Sequence, residues 1–393
     1  MVCRGRGGPR GVAGRHEPAA GLRAVVVVAL AFVGGVVFPG VATAAPVAWR
    51  QARAAAGEAG SFLACEVAGP GGIDGGLSNA STWAGLEEAR AMDPSMRIRK
   101  LQSRSAGGLP REINRFIRDR CGVIVVVGFA TGPATLAAAR AHPREEFVTV
   151  DYGARQLVRN VDSLLYETNQ GAFLGGFLAA AHSTTGKVGT FGAELTPTIT
   201  SYMDGWVAGV CYFDHVDHKR VEVLGWIPER HRAKGSLAGH GTFTGSLTNR
   251  ADGGTEATTL MQEGADVIFP VAGSSGLGAA AAVQQYGHGV TLEWADTDGC
   301  VSARRYCSLF LTSVTTGVAI SVETVVLSAA FGKFTGNNYV GDLANGGVTL
   351  APFHTSEKTI PARLRADLRM ITSGIVSGRI SVDPDAYPGI CLR

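Results

Sequence analysis

The sequence predicts an α/β protein built as two doubly wound lobes, each a parallel sheet with helices on both faces. Short apolar runs of strand length alternate with helical patterns along most of the chain. Runs that are apolar at nearly every position belong to strands covered on both faces, and alternating β and α units build parallel sheets. About seven such strands precede Cys300, many for one sheet of ordinary size. Two similar lobes are therefore expected. No stretch reads as a linker, so the chain is expected to cross between them more than once.

The elements follow in order. SFLACEV (61–67) is a strand ahead of the helical STWAGLEEARAM. CGVIVVVGF (121–129) precedes PATLAAARAH, and EEFVTVDYG (145–153) comes next. The helix QGAFLGGFLAAAHSTTG leads to KVGTFGAEL (187–195) and then to ITSYMDGWVAGVCYF. VEVLGWI (221–227) is followed, after a Gly/Thr-rich stretch, by TEATTLMQEG. ADVIFPVAG (265–273) and GVTLEWADTD (289–298) complete this series. SVTTGVAISVETVVLSAAFG (313–332) fits helix or strand and reads better as helix. GGVTLAPF reads as a strand, and IPARLRADLRMITSGIVSG as a terminal helix with proline at its start.

The first 44 residues stand apart. Arg4, Arg6, Arg10, Arg15 and Arg23 precede the uncharged AVVVVALAFVGGVVF and the small-residue Ala42-Thr43-Ala44, the pattern of a secretory signal cleaved after Ala44. The uncharged run is also long enough to span a bilayer, so an uncleaved anchor is the rival. Removing these residues takes away five arginines and one glutamate and turns the formal net charge from +3 to −1. The mature chain then has no global attraction for nucleic acid or anionic lipid.

Beyond Cys3, six cysteines remain in a chain read as exported, which fits disulfides. Cys300 and Cys307 flank the polar loop CVSARRYC and are the expected pair; Cys65, Cys121, Cys211 and Cys391 allow three pairings. No metal is expected: C-x-x-C is absent, and DHVDH lies in a polar, solvated stretch.

The stretch GADVIFPVAGSSGLG ends a strand in glycines, with Gly276-x-Gly278-x-x-Ala281 opening a helix and Asp296 following the next apolar run. Such a turn can cradle a dinucleotide pyrophosphate, the acid holding a ribose. Here the strand already ends at Gly273, so the glycine register is wrong for that fingerprint, and the turn lies late in the chain. No cofactor is expected. Ser274 and Ser275 do not spell a nucleophile elbow, and Asp296 and Asp298 lack an accompanying nucleophile or histidine. Acids at strand ends beside a cleft suit polar ligands. An exported NAD-dependent or hydrolytic enzyme using these groups is the alternative class.

Six stretches in order carry a resemblance: GGIDGGLSNASTWAGLEEA (71–89), VVVGFATG (125–132), QGAFLGGFLAAAHSTTGKVGTFG (170–192), GADVIFPVAGSSGLG (264–278), ADTDGC (295–300) and LTSV (311–314). Together they resemble the basic membrane protein family of ABC-transporter substrate-binding proteins, related to the purine nucleoside receptor lipoproteins. The resemblance runs from about Phe62 to Pro352. It implies the type I periplasmic-binding-protein fold, three crossovers, and ligand in a cleft closed by hinge motion. The lobes are expected at 58–155 plus 299–335 and at 156–298 plus 336–393.

The resemblance also implies ligand-binding positions. Asp74 and Asn79 fall in the first motif, Asn79 as a sugar contact. Ser78 and Leu247 stand where the family stacks aromatics on a base, and Thr316 where a lysine holds ribose. Asp151, Gly273, Gly276 and Asp296 match acid and backbone contacts. Phe129, Trp83, Tyr202 and Trp294 are the aromatics available in place of the missing pair, with core packing as their ordinary role. The expected protein is a non-enzymatic, monomeric solute receptor serving an ABC permease, outside the cell or on the outer membrane face. No lipoprotein cysteine follows the signal. A receptor-like surface protein with an empty cleft is the other alternative.

Overall fold

Twelve strands fall into two six-stranded sheets in the computed structural model, which describes residues 61–69, 77–103, 107–228, 241–286 and 289–387. The leader, Asp74 and Cys391 lie outside them. The first sheet holds β1 (Leu63–Ala68), β2 (Arg97–Gln102), β3 (Val123–Val127), β4 (Glu146–Val150), β5 (Val161–Tyr166) and β11 (Asn338–Gly341), in the order β11-β5-β4-β3-β1-β2 and parallel throughout. The second holds β6 (Lys187–Gly192), β7 (Glu222–Leu224), β8 (Val267–Val271), β9 (Thr291–Asp296), β10 (Phe310–Thr316) and β12 (Val348–Leu350), in the order β12-β10-β9-β8-β6-β7. Only β12 runs antiparallel to its neighbour.

The two orders are the same pattern used twice, with β1 to β5 matching β6 to β10. In each, the winding reverses between the first and third strands of the lobe. Ligands of open α/β sheets bind beyond the carboxyl ends of strands at such a switch point.

Helices α1 (Leu77–Met92), α2 (Leu109–Arg118) and α3 (Gly132–Ala141) connect the first sheet. Helices α4 (Thr168–His182), α5 (Pro197–Asp217), α6 (Arg250–Gln262), α7 (Gly276–Tyr286) and the short α8 (Gly299–Ser302) belong to the second. Helix α9 (Val318–Ala330) returns to pack on α1 through Val322, Val326 and Leu86, and α10 (Ala362–Val376) docks on the second lobe. The opposite face of the first sheet is closed by Ile113, Phe116 and Leu136 over Ile124. Helices α4 and α5 lie backbone to backbone because a Cβ at Gly176 would overlap the Trp206 carbonyl.

The chain passes between lobes three times: from β5 into α4, from β10 into α9, and from β11 into β12. These crossings correct the expected lobe boundaries. The first sheet extends to Tyr166 rather than ending at 155, since β5 pairs with β4. Residues 310–316 form β10 of the second sheet rather than part of the first lobe. Asn338–Gly341 pairs with β5 instead of joining the second lobe. The stretch read as one helix over 313–332 is β10 followed by α9, broken at Gly317.

Among the described residues, Cys65 is bonded to Cys121 and Cys300 to Cys307; Cys211 is also disulfide-bonded. The first bond ties β1 to the start of β3 within the sheet, where both cysteines are buried.

Candidate binding cleft

The carboxyl ends of β1, β3 and β4 meet those of β6, β8 and β9 around one cavity of about 180 Å³. The first lobe lines it with Ser78, Asn79, Phe129 and Asp151; the second with Tyr202, Leu247, Gly273 and Asp296. The volume suits a small solute, not a polymer.

Each group is held there by local backbone chemistry. Asn79, on the first turn of α1, accepts the Gly69 N–H at 3.2 Å through Oδ1 and so fixes the tip of β1. Gly128, at φ +104°, ends β3 and turns the chain into a single 3-10 turn carrying Phe129. The equivalent turn after β8 is Gly273-Ser-Ser, with Gly273 at φ +55°. Asp151 and Asp296 end the matching strands β4 and β9, and both adopt left-handed backbone, φ +66° and +67°. Few non-glycine residues take that conformation, aspartate and asparagine being the readiest. The same strained corner thus presents a carboxylate from each lobe.

The two acids sense each other. Burial first, and then the charge of Asp296, pushes the Asp151 carboxyl up to about 7, against a hydrogen bond from Ser78. Burial also raises Asp296, opposed by the hydroxyl of Tyr202, which donates to Oδ1 at 2.7 Å. Tyr202 in turn is held well above its ordinary range, by burial and then by Asp296. These are acceptors waiting for donors. Ser78 is the serine of the lining and bonds to the Asp151 carboxyl; no cysteine or histidine lines the cavity among the described residues.

Of the residues expected from sequence, Ser78, Asn79, Phe129, Asp151, Leu247, Gly273 and Asp296 line this cavity. Gly276 and Thr316 do not. Gly276 opens α7 over the Trp294 indole, where an added Cβ would lie 3.1 Å from the ring. The Thr316 hydroxyl donates to the Asp296 carbonyl at 3.3 Å, steadying the acid's backbone from behind. The amide groups of Ser275 and Gly276 bond back to the chain, so these two N–H groups are not offered to a ligand. Gly278 faces the Arg250 carbonyl, which a Cβ there would overlap. Gly276 and Gly278 thus serve close packing, while Gly273 faces the cavity.

Phe129 and Tyr202 are the aromatics that reach the cavity. Trp294 is core, against Phe310, and Trp83 donates to Glu87 under Lys100. Glu194, Thr196 and Thr198 also line the cavity and were not anticipated. Their signal was the proline-started helix directly after a strand tip, TPTIT, the counterpart of the first motif. Asp298, Cys300 and His354 converge elsewhere, but Cys300 is consumed in its disulfide and offers no thiolate to a metal.

Comparison with known proteins agrees with this arrangement. A family model described as "ABC transporter substrate-binding protein PnrA-like" matches residues 63–230. The chain is similar to the "ABC transporter nucleoside-binding protein BmpA" of Lactococcus lactis, 26% identical over 329 residues, covering 79% of this chain and 86% of that protein. It is also similar to "Basic membrane protein B" of Borreliella burgdorferi, 25% identical over 58% of this chain and 60% of that protein. An ABC transporter solute-binding protein from Aeropyrum pernix superposes with a TM-score of 0.70 at 20% identity, covering 83% of this chain and 95% of that one. That last likeness speaks to the fold: two α/β lobes of the type I periplasmic-binding class.

Proposed function

We propose that the chain, similar to ABC-transporter substrate-binding proteins of the basic membrane protein family, captures a small polar solute outside the cell in the cleft between its lobes and presents it to a membrane permease. The observation that carries this reading is the convergence of Ser78, Asn79 and Asp151 with Gly273 and Asp296, from two separate sheets, on one cavity. Hinged lobes grip a solute by contributing polar groups from both sides. No helix among the described residues is long and apolar enough to cross a membrane.

A nucleoside is the first ligand to test, since the lactococcal relative is named for one. Asn79 and Asp296 support it as hydroxyl contacts. Against it stand Ser78 and Leu247 where stacking aromatics are implied; stacking contributes roughly 1–3 kcal/mol per base. Phe129 offers one ring face in their place.

The test is thermal denaturation of the purified chain across a panel of nucleosides and sugars. A bound ligand at a hundredfold its Kd adds about 2.7 kcal/mol, a rise in Tm of several degrees. A flat response would remove the nucleoside reading.

A further inference from the structure

The charge of the solute is written in the lining. Asp151, Asp296 and Glu194 border the cavity, while no lysine, arginine or histidine lines it among the described residues. The partners of the two aspartates are hydroxyls: Ser78 for Asp151 and Tyr202 for Asp296. A hydroxyl satisfies a lone pair but leaves the negative charge in place. Two other enclosed acids of this chain are treated differently. Glu66 faces Lys100, and Asp266 is wrapped by the hydroxyls of Ser183 and Thr184 and the amides of Thr184 and Thr185. The cleft sets Asp151 and Asp296, one from each lobe, on one cavity within reach of each other's charge, each on left-handed backbone.

We infer that the cleft takes a small organic cation, its protonated nitrogen seated between Asp151 and Asp296 and its carbon skeleton against Phe129. The inference rests on the receptor reading and narrows it. An N–H-bearing cation supplies what the lining lacks: donors for the free lone pairs and a positive charge between the acids, so that drawing the lobes together meets less repulsion. Charge-assisted hydrogen bonds of this kind are about twice as strong as neutral ones. Phe129 is 38% exposed, a large apolar ring left open at the cavity, suited to alkyl carbon or to the cation itself. A calcium ion is the other chemistry that paired carboxylates attract, but it demands about six to eight oxygens. Val127, Val271, Ile199 and Leu247 fill much of the wall with carbon instead.

Calorimetric titration of the purified chain tests this, with agmatine, putrescine and arginine as cationic probes, adenosine, inosine and uridine as neutral ones, and calcium chloride. Titrations at pH 7 in two buffers of different ionisation enthalpy also count protons. A cation between the acids lowers the Asp151 pKa and expels its partial proton, about half of one per ligand by linkage. The groups facing that carboxyl are Asp296, Tyr202, Glu194, Ser78 and Tyr166, none of them basic. The expected result is saturable binding of a cationic probe with proton release, weakened at least tenfold in Asp296→Asn and partly restored in Asp296→Glu. The second variant separates loss of charge from loss of fold. Saturable nucleoside binding without any cationic probe, proton uptake on binding, or calcium as the only ligand would overturn the inference and leave the receptor reading standing. Silence from every probe would remove both.

Discussion

Glu66 and Glu293 put carboxyl groups inside sheets that are apolar on both faces. Burial pushes each up to about 8; Lys100 opposes this at Glu66, and a hydrogen bond from Trp206 opposes it at Glu293. Both oxygens of Glu66 and Oε1 of Glu293 lack a hydrogen-bond partner. Unfolded glutamates release their protons near pH 4.5, whereas the folded ones keep them to about 8. The folded state therefore binds more protons across that interval, and stability falls as pH rises through it. Each pH unit of the interval corresponds to about 1.4 kcal/mol. The ligand-free protein should thus melt higher at pH 5.5 than at pH 8.5, with a shallower decline in Glu293→Gln; a pH-independent Tm would contradict this. Single residues were legible unevenly. Asp151 and Asp296, named through the resemblance, each close an apolar run and lie on the cavity. Gly276 and Thr316 misled because sequence shows that a residue lies near a strand tip, not whether it turns to the cleft or to the core.

Elements were readable where burial makes them uniform. VIVVV and VIFPV can only be covered strands, and the structure has them as β3 and β8. The strand β2, RIRKLQ, escaped notice because it is a sheet edge, with charged side chains reaching solvent. Charged edges of this sort discourage unwanted strand pairing. Strand β5 escaped because Asp162 and Ser163 interrupt its apolar pattern; both are buried, and Asp162 accepts the Asn337 N–H beside β11. Two element-scale outcomes follow. Gly278→Ala drives a Cβ into the Arg250 carbonyl and must prise α6 from α7; overpacking of this kind costs about 1–3 kcal/mol, measurable by urea denaturation. Removing Cys65–Cys121, which closes 56 residues, should cost about 4 kcal/mol on loop-closure entropy, against about 2.5 for Cys300–Cys307, which closes 7. The reverse order of stabilities would contradict that account.

At the scale of the molecule, one winding pattern appears twice, and three crossings join the copies. Two-lobed architecture was legible from the number of buried strands. The crossing points were not, since a strand's letters record that it is buried but not in which sheet. The duplicated topology explains the site: matching strand ends from each lobe bring Asp151 opposite Asp296 and the turn at Gly128 opposite that at Gly273. If ligand bridges these tips, binding should compact the protein, seen as a smaller radius of gyration in X-ray scattering with the ligand than without it.

The most direct test is mass spectrometry of the purified chain, native and then denatured, beside Asp151→Asn/Asp296→Asn. A cleft receptor should release one small molecule per chain from the wild type, and the folded double variant should release little or none. Equal release from both proteins would show that the solute sits somewhere other than between the lobes.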